Sequence, residues 1–268
     1  MKLDFVVIGA SRSGTTWVHD NIIKHPEIFL PKKVNEPTFF TKYYNRGFLY
    51  YESLFAEMKD EKAIGEITPD YLYSEIAAQR IYNKYPHIKI ILILRNPYER
   101  LYSMYKMLHG KSLNGFEHLT FQEAYMSQNE FVDKGKYIIY IQNYLRYFDR
   151  KQILILNFDD LKNRPTYLLK QLYDFVGVNN QFKAPYIYQK VNSANFHGSN
   201  GRSNFLYYFW DILQRLKLKK SSLLIEKLNS TKSPNISQKT KLELIQIYEP
   251  YNKKLQRIVE FDINSWNT

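Results

Sequence analysis

The chain of 268 residues contains no cysteine. That removes disulfides, thiolate metal sites and a cysteine nucleophile, and it fits a reducing compartment. No apolar run approaches the roughly 18 residues needed to cross a bilayer, so the expectation is a soluble, cytoplasmic protein with no membrane partner. The opening "MKLDFVVIGA" has a charged start and an apolar stretch, but Asp4 interrupts it early, and it reads as a first strand rather than a signal peptide. No repeat or low-complexity tract divides the chain. No His and acidic residues stand at a metal-ligand spacing, so no metal is expected.

What is present is core material and positive charge. Hydrophobic residues make up 44% and aromatics 16%, with 24 Tyr and 17 Phe, which places the chain among globular proteins. Its length suits one large α/β domain, 1–268. Lys and Arg number 38 against 26 acidic residues, a net charge of +12. Such a balance asks for an anionic partner. The basic residues are scattered apart from Arg215–Lys220, so no nucleic-acid stripe is expected.

Four apolar, β-branched runs bounded by turn residues read as strands: Leu3–Ile8, Lys62–Ile67, Ile88–Leu94 and Gln152–Phe158. Runs of this kind suit a parallel sheet buried on both faces. Helices are expected between them, at Thr16–Lys24, Ser74–Tyr85, Pro97–Leu108 and Tyr137–Phe148, and from Pro165 through Phe175 to a stop at Gly177. The fold class is therefore α/β: a three-layer, P-loop-like fold with a central parallel sheet flanked by helices. From about 203 to 268 the chain reads as mainly helical. Ligands of such sheets bind beyond the carboxyl ends of the strands.

The first strand runs into "GASRSGTT", Gly9–Thr16. Its two glycines have the spacing of a phosphate loop, G-x-x-x-x-G-K-[ST], but Thr15 stands where the lysine belongs. Backbone N–H groups of the turn and the helix N-terminus would hold an anion, with hydroxyls from Ser13, Thr15 and Thr16 and a cation from Arg12. A tight strand-to-helix turn capped by threonine is the plainer reading. The third strand leads into "RNPYERLYS". A metal-nucleotide enzyme would place an Asp where Arg95 stands, so a second anionic group is expected on the ligand.

Together these motifs resemble those of the sulfotransferases that use 3′-phosphoadenylyl sulfate. "SRSGTTW" looks like their 5′-phosphosulfate loop and "RNPYERLYS" like their 3′-phosphate segment. The likeness continues through "NEPTFF", "GEITPDYL", "GKYIIYIQNYLRYF" and "GSNGR", and is closest to the heparan sulfate and bacterial carbohydrate-type branch. It implies that Arg12, Ser13, Gly14, Thr15 and Thr16 hold the 5′-phosphosulfate, with Arg12 in the role of the family lysine. It implies too that Arg95 and Ser103 hold the 3′-phosphate, and that no metal takes part.

Glu36 falls on the position of the family's catalytic base, or is an exposed loop residue before a proline. Trp17 matches a residue beside the adenine in cytosolic members, or is a core aromatic. Tyr137 aligns near the 3′-phosphate, or simply packs. Gly201 and Arg202, with Gly198, match a loop closing over the donor, or form an ordinary connection. The family's lysine in "EKTPxY" is here Ile67, leaving Glu66 as an acidic group beside the reaction centre. His25 and His109, at helix ends, read as structural.

The implied activity moves a sulfuryl group to a hydroxyl or amine of a carbohydrate or small natural-product acceptor. A P-loop metabolite kinase and a non-catalytic donor-binding protein are the alternatives, and oligomeric state is unreadable.

Overall fold

Strand formation follows the β-branched, apolar runs closely. The computed structural model describes residues 1–110, 118–188 and 236–268. Its strands are β1 (Phe5–Gly9), β2 (Ile28–Phe29), β3 (Ala63–Ile67), β4 (Lys89–Leu94) and β5 (Ile153–Asn157), in the order β2-β3-β1-β4-β5. Every ladder is parallel. The central five-stranded parallel sheet is flanked by helices, as expected of the α/β class. β2 is an addition to the sequence reading, since two residues carry no period to detect.

The helices of this sheet unit are α1 (Thr15–Ile22), α2 (Gly47–Ser53), α3 (Glu75–Lys84), α7 (Tyr137–Leu145), α8 (Phe158–Asn163) and α9 (Pro165–Val176). Between α3 and α7 the chain forms α4 (Pro97–Gly110), α5 (Phe121–Ser127) and α6 (Asn129–Asp133), and near its end α10 (Gln238–Leu255). Local chemistry explains the boundaries. Ser74 caps α3 by accepting the Ala77 N–H at 3.2 Å. Pro165 opens α9 at the position that tolerates it, and Gly177 closes it at φ 89°.

Alternation along the strands sorts the core into two layers. Val6, Ile8, Ile90, Leu92, Ile153 and Ile155 share one cluster with Ala77, Ala78 and Ile81 of α3, Ile138 and Ile141 of α7, and Leu255 and Trp266. Phe5, Val7, Ile91 and Ile93 alternate with these and are equally buried, as are Val18 and Ile22 of α1 and Leu168 and Leu172 of α9. α1 and α9 meet through His25, whose ring packs 4.7 Å from both Tyr173 and Phe182.

The chain divides into two compact units. The first holds the sheet and comprises the described residues 1–97, 136–188 and 246–268. The second includes 98–110, 118–135 and 236–245. Within it, Thr120 and Glu123 form a reciprocal capping box at the start of α5, Arg100 donates to the Phe131 carbonyl at 2.7 Å, and the Tyr125 hydroxyl donates to Glu243 at 2.9 Å.

Candidate active site

The strand order fixes where a ligand pocket can form. From β1 the chain moves toward β2 and β3, whereas from β4 it moves toward β5. The crevice beyond the carboxyl ends of β1 and β4 is thus the switch point of the sheet. The loop of residues 9–16 leaves β1 there and Arg95 leaves β4 there. The register slips by one residue between Val7 and Gly9 against β4, re-aiming the end of β1, and the Ala10 N–H then donates to the Ile93 carbonyl at 3.0 Å.

Two glycines let the chain pass through this crowded corner. A Cβ on Gly9 would lie 2.9 Å from Leu72 Cβ and 3.0 Å from the Pro69 carbonyl oxygen, so the turn after β3 packs directly on the end of β1. Gly14 caps α1 at φ 88°, and a Cβ there would meet Leu161 Cδ1 at 2.5 Å. Arg12 also has a positive φ, 68°, and no side chain caps the helix. The first-turn N–H groups of α1 remain directed at whatever occupies the loop.

The loop's side chains are poised for an anion. Ser11 Oγ and Ser13 Oγ are buried without a hydrogen-bond partner among the described residues, an arrangement native proteins keep only where something else supplies the partner. Thr15 is buried and Thr16 exposed. Arg12 is half-buried, and its basicity is lowered first by desolvation and then by the charge of Arg95. The Arg95 guanidinium lies over the Phe158 ring at 4.5 Å, with Lys162 Nζ 4.8 Å from the same ring. The loop after β1 and the exit of β4 thus bring two guanidinium groups to one corner, where the charge of Arg95 bears on Arg12, an arrangement that suits an anionic ligand.

The other predicted residues are distributed as follows. Trp17 is 4% exposed and packed in the core. The Tyr137 hydroxyl donates to the Arg95 carbonyl at 2.8 Å, so it reaches the Arg95 segment through the backbone. Ser103 is buried in α4, within the second unit. Gly198, Gly201 and Arg202 lie outside the described residues. His25 is structural: Nδ1 accepts the Glu27 N–H at 3.1 Å, which leaves Nε2 to donate to the Asn179 carbonyl at 2.9 Å. His109 packs against Tyr105 at 5.3 Å.

Glu36 is exposed, two residues before Thr38, whose N–H donates to Thr68 Oγ1 just beyond β3 at 3.4 Å. Its carboxyl is pushed up from the ordinary value first by partial desolvation and then by Asp70, with solvent damping both effects. Nearby, Lys32 and Lys33 face Glu57 at 4.0 and 3.7 Å, exposed pairs of little energetic weight. Ile67 is buried at the end of β3, opposite Val7.

Sequence reasoning missed the depth of Glu66, the strained Thr38 and the Phe158 ring beneath Arg95. Only Glu66 left a trace, as a carboxylate inside an otherwise apolar strand. Among the described residues, no group of three His, Asp or Glu side chains could hold a metal ion, and no helix is long and apolar enough to cross a membrane.

Comparison with known proteins agrees with this architecture. The family model for the sulfotransferase domain matches residues 2–196. Mouse heparan sulfate glucosamine 3-O-sulfotransferase 6 is 24% identical over 262 residues, covering 96% of this chain and 72% of the relative. A sulfotransferase from Alicyclobacillus acidocaldarius superposes with a TM-score of 0.74 at 22% identity, over 100% of both chains. A mouse sulfotransferase complexed with PAP does so with a TM-score of 0.54 at 17% identity, over 97% of this chain and 89% of that one. At these identities the structural likenesses speak to the fold.

Proposed function

The chain belongs to the sulfotransferase domain family, and from that premise we propose that it moves a sulfuryl group from 3′-phosphoadenylyl sulfate to a hydroxyl or amine of a carbohydrate or small natural-product acceptor. The observation that carries the donor reading is the proximity of Arg12 to Arg95 at the β1/β4 crevice, beside two buried serine hydroxyls with no hydrogen-bond partner among the described residues. Such a site fits a ligand with anionic groups at separate positions. It lacks, at the end of β4, the carboxylate that a magnesium-nucleotide enzyme would place there.

The bound donor supplies an activated sulfuryl group. Arg12, the Ser13 hydroxyl and the N–H groups of Gly14, Thr15 and Thr16 would hold its 5′ end, and Arg12, desolvated and cationic, would balance charge developing on the leaving oxygen. Arg95 would hold the 3′-phosphate, its backbone fixed by Tyr137 and its guanidinium resting on Phe158. Glu36 would take the acceptor's proton as the new bond forms. Its exposure suits an acceptor arriving from solvent, and its raised pKa suits a base better than an ordinary surface carboxylate would. At the position of Ile67, where the family has a second lysine, either Arg12 alone would balance the charge on the leaving oxygen or another cation would fill the gap.

A carbohydrate acceptor is favoured by the heparan sulfate relative and by the net charge of +12. Calorimetric titration with 3′,5′-adenosine bisphosphate against ATP with Mg²⁺ tests the donor class, and binding of ATP alone would refute it. A screen of glycans and small natural products with labelled donor then tests turnover. A chain that binds the bisphosphate but transfers to nothing is the non-catalytic alternative kept open by Ile67.

A further inference from the structure

Glu66 occupies a strand position where an aliphatic side chain would ordinarily sit. It is fully buried and paired in register with Val6, so it points into the layer where Phe39, Phe40, Tyr51 and Tyr71 pack. Its Oε2 accepts the Tyr51 hydroxyl proton at 2.9 Å. Its Oε1 has no hydrogen-bond partner among the described residues, nor is any cation among them paired with the carboxyl. A buried carboxyl left in this condition calls for a reason beyond packing.

The reason lies in the segment after Glu36. The Tyr71 hydroxyl, close enough to Glu66 to favour its charged form without closing a bond on Oε1, accepts the Phe40 N–H at 3.0 Å. Thr68 Oγ1 accepts the Thr38 N–H at 3.4 Å, and Arg80 of α3 donates to the Phe40 carbonyl at 2.9 Å. Thr38 itself has φ 48°, a region costly for a β-branched residue that persists only where surrounding structure imposes it. Three side chains therefore impose the path of the residues following Glu36, and one of the three lies against Glu66.

A tyrosine hydroxyl has a single proton to place. While Glu66 is ionised, that proton is drawn toward it and the oxygen's lone pairs are left for Phe40. Once Glu66 is protonated, its own O–H competes and the orientation of Tyr71 is no longer imposed. We propose that Glu66 is a positioning residue whose ionised carboxyl, acting through the Tyr71 hydroxyl, holds the backbone that carries Glu36. The proposal rests on the reading of Glu36 as the base.

The titratable groups facing Glu66 are Tyr51 of α2, Tyr71 after β3, Tyr85 after α3 and Tyr144 of α7, each kept protonated chiefly by burial. Burial also brings Glu66 to about 7, so its charge changes near neutrality.

Amide hydrogen exchange on the full chain tests this, read as protection factors so that the intrinsic pH dependence of exchange cancels. Protection of the Phe40 amide should fall on the order of tenfold between about pH 8 and about pH 6 in the wild type, as the ionised carboxyl no longer orients the Tyr71 hydroxyl that accepts this N–H. It should be low and flat in Glu66→Gln. Constant protection across pH in the wild type, a series that needs no variant to fold, would overturn the proposal.

Kinetics supply the second arm. Glu66→Gln should lower kcat and erase a rise in rate near pH 7, with affinity for 3′,5′-adenosine bisphosphate unchanged. Exchange that responds with no fall in kcat also overturns it. Full turnover in Glu36→Gln would instead remove the base assignment and, with it, the catalytic purpose of Glu66, while leaving the exchange result standing.

Discussion

Tyr137 donates its hydroxyl proton to the carbonyl of Arg95 at 2.8 Å, and this bond ties the first turn of α7 to the end of β4. Through this bond the hydroxyl bears on the placement of Arg95. Tyr137→Phe should cost about 1 kcal/mol of stability, the usual net worth of one hydrogen bond, and weaken 3′,5′-adenosine bisphosphate binding only modestly. Arg95→Ala should weaken the bisphosphate far more than AMP, because only the bisphosphate carries the second phosphate. Titration calorimetry of the two ligands against both variants checks this, and equal losses for the bisphosphate and AMP would remove Arg95 from the 3′ site.

Glu36→Gln should reduce turnover by on the order of a hundredfold or more while donor affinity stays as it was, because the amide keeps the shape of the side chain and loses the proton acceptor. Steady-state rates with labelled donor, alongside calorimetry, separate the two quantities. An unchanged rate would take Glu36 out of the chemistry.

The parts of this fold that were legible in the sequence are those set by local pattern. The four longer strands, the loop with Arg12 and the exit of β4 at Arg95 all follow from apolar runs and the residues that end them. What was hidden depends on long-range pairing. β2 exists because Ile28 and Phe29 find the edge of β3, not because two residues prefer to be extended. Glu66 read as an acidic group beside the reaction centre, whereas its register with Val6 sends it into the core. Phe158 became part of the site only when β5 was placed beside β4.

Gly14 is a position where backbone and packing agree. At φ 88° any other residue is strained, and an added Cβ would meet Leu161 Cδ1 at 2.5 Å and the Phe158 ring at 3.3 Å. Gly14→Ala should therefore destabilise the chain by roughly 1–3 kcal/mol. It should also weaken bisphosphate binding, since the loop and the start of α1 must shift to relieve the contact. Denaturant unfolding and calorimetry read the two effects. Wild-type stability in Gly14→Ala would show that the loop is softer than its contacts imply.

The buried carboxyl of Glu66 makes stability depend on pH with a sign opposite to that of a salt-bridged acid. Its pKa rises from 4.5 to about 7 on folding, chiefly by burial, against smaller opposing contributions from the Tyr51 and Tyr71 hydroxyls. The folded chain therefore retains a proton that the unfolded chain releases as pH climbs past 4.5. The group's contribution to stability is complete below that value and is lost as pH rises through about 7, a loss of about 3 kcal/mol by pH 8. Glu66→Gln cannot ionise and escapes the loss. Its stability relative to the wild type should thus increase by about that amount between about pH 4.5 and about pH 8, as measured by denaturant unfolding across the range. A difference that stays constant with pH, or one that shrinks as pH rises, would mean that Glu66 folds as an ordinary ionised carboxylate.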